Sequence, residues 1–199
     1  KKIKKKKITV KNNLVIKKNN NTNNVNVKKN NSKKKVNLST NKNTNSNGTI
    51  KIIPLGGLEE IGKNITVFEY NNEAIIVDCG LAFPEDDMLG VDIVIPDFTY
   101  IEKNIDRIKG LVITHGHEDH IGSIPYLLKK VNVPIYSTAF TIGLINSKLK
   151  EHNLDAKAEL NVVEFGDIIK LGKFSVEFIA SAHSIPDSAM LAIKTDVGT

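Results

Sequence analysis

From position 50 onward, apolar residues fall into short runs whose spacing predicts strands and helices in turn. Residues 50–53, 65–70 and 74–77 are rich in β-branched and aromatic side chains, which suits strands. Asn71 and Asn72 separate the last two runs, and asparagine tolerates the positive φ of a tight hairpin. The fold should therefore open with antiparallel strands. Residues 82–100, with Pro84, Pro96 and the acidic run Glu85, Asp86, Asp87, read as a long irregular loop. Ile101, Ile105 and Ile108 then predict a short helix leading into a buried strand at 111–113. Ile121, Ile124, Leu127, Leu128 and Val131 recur at helical spacing directly after that strand. A strand at 133–137 and a helix at 139–150 follow, the latter with Ile142, Ile145 and Leu149 on one face. Four strands, at 160–165, 168–171, 174–180 and 190–194, end the pattern, with turns at Gly166-Asp167 and Gly172-Lys173. Strands mixed with helices in this order place the folded part in the α/β class.

Before position 49 no such pattern exists, and composition explains why. Residues 1–48 hold 15 of the 28 Lys+Arg and none of the 22 Asp+Glu, so this stretch is +15 while the remainder is 13 − 22 = −9. It also holds 15 Asn and no aromatic residue, too little apolar surface to offset the entropy of ordering the chain. The expectation is a disordered, low-complexity basic tail over 1–48 and a folded domain over 49–199. A lysine-rich arm suits contact with nucleic acid through phosphate neutralisation; the plainer reading is a solvated extension left by compositional drift. The longest apolar run in the tail is three residues and Arg107 is the chain's single arginine, which argues against a signal-peptide core and an Arg-rich transit peptide. No stretch approaches the length of a membrane-spanning helix. The single cysteine, Cys79, excludes an internal disulfide, fits a reducing cytoplasm and reads as a small buried hydrophobe.

Chemistry concentrates between the strand at 111–113 and the helix after it. His115, His117, Asp119 and His120 fall within six residues, and imidazole nitrogens with a carboxylate are the ligand set for zinc or a similar divalent ion. From the chain's composition, this pattern is expected by chance on the order of 2 times in 10,000. The His-x-His pair can hold one ion, and the Asp-His pair one turn later a second, as in two-metal hydrolytic sites. Asp78 follows the apolar run 75–77, at a strand end where α/β proteins place functional residues, or is simply a turn residue before Gly80. His183, again at a strand end, is a candidate to complete the first ion's ligand set. His152, near a helix C-terminus, reads as a surface residue and is left out. Residues 57–64 match the phosphate-loop pattern except that Asn64 replaces the magnesium-binding hydroxyl; Glu59 and Glu60 oppose phosphate, so the glycines are taken as turn formers.

Taken together, HGHEDH after an apolar strand, Asp78 before it and His183 after it resemble the metallo-β-lactamase superfamily. The stretches PLGGLEEIGKN, DCGLAFPEDDMLGVDIVIPDFTY, THGHEDHIGSIPYLL and AHSIPDS, in that order, are similar to the ribonuclease J family, the bacterial branch of the β-CASP nucleases. The likeness covers residues 50–199. It implies the αββα sandwich of the superfamily, with only the N-terminal half of that domain present. By the same resemblance His115, His117 and His183 ligate a first zinc, Asp119 and His120 a second, and Asp78 braces the metal loop. Asp119 and His183 carry catalysis, with His183 and Ser184 beside the scissile phosphate. The implied activity is hydrolysis of RNA, both 5′ to 3′ exonucleolytic and endonucleolytic, by a cytoplasmic homo-oligomer with no membrane association. Such proteins continue with a bridging Asp, a β-CASP domain, a further metal-binding His and a C-terminal domain. Thr199 is accordingly expected to be a truncation point, and the chain alone inactive or weakly active. The alternatives are another hydrolase of the same fold acting on a small molecule such as a thioester or lactam, or a non-catalytic fragment.

Overall fold

The computed structural model describes residues 48–199. The tail expected over 1–48 therefore lies outside the described residues, Gly48 excepted. Six strands form one sheet in chain order: β1 (Lys51–Gly56), β2 (Ile65–Tyr70), β3 (Glu73–Val77), β4 (Ile108–Val112), β5 (Ile135–Ser137) and β6 (Leu160–Val162). The first three pair antiparallel, and β3 through β6 run parallel. Asn71 and Asn72 take φ of 47° and 64° between β2 and β3, the left-handed pair that a two-residue hairpin turn demands. Parallel neighbours need crossover connections. These are α1 (Thr99–Lys103) before β4, α2 (Glu118–Ile121) and α3 (Ile124–Lys130) before β5, and α4 (Ala139–Glu151) before β6. A second, antiparallel sheet comprises β7 (Ile168–Leu171), β8 (Phe174–Ala180) and β9 (Ala189–Lys194).

Two cores follow from this arrangement. On one face of the large sheet, Ile76, Leu111 and Ile135 pack with Ile101, Ile124, Leu127 and Ile145 of the helices. On its other face, Ile75 and Val112 meet Phe174, Val176 and Phe178 of the small sheet. The described residues thus build helix, sheet and sheet, three layers of an αββα sandwich. The end of β4 is covered on both sides, which is why residues 111–113 read as an unbroken apolar run and not as an alternation. Ala74 pairs with Ile108 but Ile76 with Leu111, so β4 carries one extra residue. That bulge lets Ile108 and Leu111, three positions apart, share the helix-side core.

Several element boundaries differ from the sequence reading, and β1 runs on to Gly56, past its predicted end at 53. The helix predicted through Ile101, Ile105 and Ile108 ends at Lys103; residues 105–107 make a single 3-10 turn and Ile108 already belongs to β4. The single helix predicted around 121–131 is two, broken at Gly122 and Ser123. Pro125 in the first turn of α3 has no N–H to continue the preceding turn. A Cβ on Gly122 would lie 2.4 Å from the Leu81 side chain, so the break also admits the loop after β3. The strand predicted over 160–165 ends at Val162, because Glu164 turns to donate its N–H to the Asp167 carboxylate (2.8 Å).

Phe178, fully buried between the sheets, leads directly into the loop carrying His183. Phe178→Ala is expected to cost about 3–5 kcal/mol of stability. Urea unfolding measures this, and a loss well under about 1 kcal/mol would contradict packing of the two sheets at that point.

Candidate metal centre

Strand β4 ends at Val112, and Ile113 still donates to the Tyr136 carbonyl (2.9 Å) before the chain leaves the sheet. The next residues carry no regular structure as far as His117, which is itself extended before α2 with φ −74° and ψ 152°. Extended backbone sends alternate side chains to one side, and His115 and His117 converge. His183 joins them from the loop between β8 and β9. The ligand nitrogens of His115, His117 and His183 all lie within 4.8 Å of one another. His115 Nε2 is 3.2 Å from His117 Nδ1 and 3.2 Å from His183 Nε2. His115 is buried, His117 half-buried and His183 exposed. Beside this triad stands the Asp-His pair, with Asp119 Oδ2 3.3 Å from His120 Nε2. The His115 and His120 rings are 4.0 Å apart.

Each ligand loop is fixed from outside. Ala189 N–H donates to the Thr114 carbonyl (2.9 Å) and Ser181 N–H to the Ser188 carbonyl (2.9 Å), closing the loop that bears His183. The Asp187 carboxylate accepts from Phe140 N–H (3.3 Å) at the start of α4, and its carbonyl from the Thr138 hydroxyl (2.7 Å). Asp78, buried and at φ 60°, accepts from Thr114 N–H (2.8 Å) and the Thr114 hydroxyl (3.1 Å) through Oδ1, and meets His120 Nδ1 (2.8 Å) through Oδ2. A carboxylate only accepts, so His120 carries its proton on Nδ1 and leaves Nε2 free as a ligand. The Thr114 hydroxyl, committed to Asp78 as donor, faces His115 Nδ1 (2.9 Å) as acceptor, which leaves His115 Nε2 free toward the triad. Asp78 therefore ties the segment after β4 to His120 of α2.

Electrostatics separates the two histidines. Burial, then the neighbouring His120, His183 and His117, push His115 down to about 4 against the pull of Asp78. For His120 burial acts downward, but the hydrogen bond to Asp78 and the charges of Asp78 and Asp119 outweigh it and raise the pKa. Cys79 is buried, as the sequence suggested, and its thiol is pushed far up by desolvation and by Asp78, which keeps it protonated. At Gly80 a Cβ would lie 1.5 Å from the Asp119 carbonyl oxygen, so only glycine permits this approach of the two loops.

A cleft of about 690 Å³ opens beside the ligands, lined by Ile61, Leu81, Phe83 and Met88 together with Glu59, Glu60, His117 and Asp119. Ser184 follows His183 on the exposed loop, and among the described residues its hydroxyl has no hydrogen bond tying it to the histidines. His152 lies against the Tyr126 ring and is not among the converging residues. The phosphate-loop look-alike is filled by its own side chain, since Glu60 accepts from Gly57 N–H (3.0 Å) and pairs with Lys63 (2.7 Å). Two residues escaped the sequence reading: Thr114, next to the motif, and Asn64, whose amide reaches Asp119 and His120.

The family model of the Metallo-beta-lactamase superfamily matches residues 59–195, which spans β2 through β9 and every residue of the centre. The chain belongs to the metallo-beta-lactamase superfamily. Ribonuclease J of Synechocystis sp. is 51% identical to it over 159 residues, 79% of this chain and 25% of that protein. Ribonuclease J of Helicobacter pylori is 48% identical over 158 residues, 79% of this chain and 23% of that one. The chain thus spans about a quarter of the length of the curated relatives it matches. The solved structure of a protein of unknown function from Enterococcus faecalis shares the fold, with a TM-score of 0.53 and 20% identity over 74% of this chain and 41% of that one. Among the described residues no helix is long and apolar enough to cross a membrane. The donors present suit the divalent ions of this superfamily, with three imidazole nitrogens converging and a second imidazole-carboxylate pair alongside.

His115 makes acid stability a readout of this geometry. Its folded pKa of about 4 lies below the roughly 6.5 of an unfolded histidine. Between those values the unfolded chain binds more protons, so the His115 contribution is full above the unfolded value and is lost as pH falls from about 6.5 to about 4. His120, raised, has the opposite sign and loses its contribution as pH rises. With metal chelated, His115→Gln is expected to lose less melting temperature than the parent between pH 7 and pH 4.5. Equal losses would show that His115 is not held neutral by burial.

Proposed function

We propose that the chain carries the metal-binding part of a zinc-dependent ribonuclease. Its substrate is RNA, cut 5′ to 3′ from an end and also internally, in cytoplasmic RNA processing and decay, ribosomal RNA included, with the whole protein working as a homo-oligomer. The observation that carries this reading is the convergence of His115, His117 and His183 beside Asp119 and His120, in a chain about half identical to proteins named Ribonuclease J. In this reading His115, His117 and His183 hold one zinc, and Asp119 and His120 take part in holding a second. The chemistry such ions supply is Lewis acidity toward a phosphate and ionisation of water near pH 7. The chain's own residues orient that chemistry. Asp78 fixes the proton of His120 directly and that of His115 through Thr114, so both present a lone pair. In the same reading His183 and Ser184, on an exposed loop, meet the scissile phosphate, and Asp119 shares in catalysis with His183.

A second reading draws on the cleft. Its size and its lining by Ile61, Leu81, Phe83 and Met88 suit a small molecule such as a thioester or lactam, while Glu59 and Glu60 disfavour a polyanion there.

Two measurements separate these readings. Native mass spectrometry of the 199-residue chain is expected to find one zinc, lost in His117→Ala; two tightly held ions would show that the ligands are misassigned. In a protein of the relatives' full length, zinc-dependent cleavage of 5′-monophosphorylated RNA is expected to vanish in His117→Ala with the melting temperature little changed. Undiminished cleavage by that variant refutes the metal mechanism, and turnover of thioesters or lactams without RNA cleavage favours the second reading.

A further inference from the structure

The turn between β1 and β2 ends on Asn64, a residue that neither the ligand set nor the fold explains. Its side-chain amide nitrogen lies 3.0 Å from the Asp119 backbone carbonyl, 3.0 Å from Asp119 Oδ2 and 3.3 Å from His120 Nε2. The carbonyl and the carboxylate can only accept, so the –NH2 end of the amide must face them. One proton goes to the carbonyl and the other to the carboxylate, while His120 Nε2, 3.3 Å away, keeps its lone pair for a ligand. The carboxylate of Asp119 is therefore held beside the His120 ring by one rigid, uncharged donor 55 residues upstream.

The backbone around Asn64 is as firmly tied as its amide. Asn64 N–H donates to the Asp119 carbonyl (3.1 Å), Gly80 N–H to the Asn64 carbonyl (3.0 Å) and Lys63 N–H to the Leu81 carbonyl (2.9 Å). Lys63 is held at φ 50° to make this possible, a conformation a lysine seldom adopts without tertiary support. Three loops thus meet at Asn64: the turn after β1, the segment after β3 that carries Asp78, and the start of α2. Asp78 already fixes His120 through Nδ1, but among the described residues its hydrogen bonds do not reach Asp119. The Asp119 side chain is 41% exposed, and among the described residues its carboxylate meets only Asn64 and the adjacent His120.

We infer that Asn64 is a positioning residue of the metal centre, whose amide sets the rotamer of Asp119 and aligns it with His120 as one ligand pair. The inference rests on the metal-binding reading for its purpose, but its geometry is testable without metal. Outer hydrogen-bond partners of metal ligands typically change affinity by about ten- to a hundredfold when removed. The effect here falls on one pair only, because among the described residues the hydrogen bonds of the Asn64 side chain go to Asp119 and His120 and not to His115, His117 or His183.

The test uses NMR of the 199-residue chain and of Asn64→Ala and Asn64→Asp. Asp keeps the shape and the backbone bonds but lacks the donor and repels Asp119, so it separates hydrogen-bond donation from packing. In the parent protein the Hα–Hβ couplings of Asp119 should report one rotamer, and in both variants an average. During zinc titration, the His120 ring resonances should reach half-shift at about ten- to a hundredfold more zinc in the variants, while those of His115 stay within about twofold, as expected for a site Asn64 does not touch. Two results overturn the inference: a single Asp119 rotamer in either variant, or equal weakening at His115 and His120 accompanied by a large fall in melting temperature. Failure of the metal reading looks different. Zinc would then leave the His115 resonances unmoved in the parent protein, while the Asp119 couplings would still decide the role of Asn64.

Discussion

A single buried carboxylate, that of Asp78, holds the centre together. It gathers the Thr114 amide, the Thr114 hydroxyl and the His120 imidazole around two oxygens. A charge taken out of water at this depth persists only where several donors replace the lost hydration. Those donors come from the end of β4 and from α2, so satisfying Asp78 and aligning the ligands are one event. The left-handed backbone at Asp78 is part of the same constraint, since an unstrained residue at the end of β3 would aim its side chain elsewhere.

Strand order explains why the ligands meet at all. The carboxyl ends of β3 and β4 lie side by side in the parallel part of the sheet, and α/β proteins gather functional groups at such ends. The small sheet adds His183 from its own loop, anchored by Ala189 to Thr114 and by Asp187 to the start of α4. The fold thus brings three separate segments to one edge, and packing between the two sheets keeps the third in register with the others.

Much of this was legible beforehand, for reasons specific to the residues. HGHEDH is dense enough to read as a metal site unaided, and Asn71-Asn72 specifies its turn through conformational preference alone. Asp78 was ambiguous as an isolated letter, because its role lies in what it accepts and no local pattern encodes that. In sequence Asn64 is only a departure from a phosphate-loop pattern; its partners are Asp119 and His120, and spacing within a turn says nothing of contacts that far along the chain. The helix over 121–131 was overextended because periodicity registers the apolar face and is blind to Leu81 pressing on Gly122. Strand 160–165 was overextended likewise, since Asp167 captures the chain after Val163 by a side-chain bond.

Gly80 gives the motif a property its letters do not announce. With the Asp119 carbonyl where a side chain would begin, the loop after β3 and the start of α2 are in backbone contact, and Cys79 and Leu81 donate their N–H groups to the carbonyls of His120 and Glu118 on either side. The six residues that name the metal centre are therefore not a portable cassette. Grafted onto another strand and helix without a glycine-bearing partner loop, they would bring the right atoms and lose the cradle that gives those atoms a common direction. A chain that carries the six letters but a bulkier residue opposite them should accordingly be counted as a coincidence of spelling.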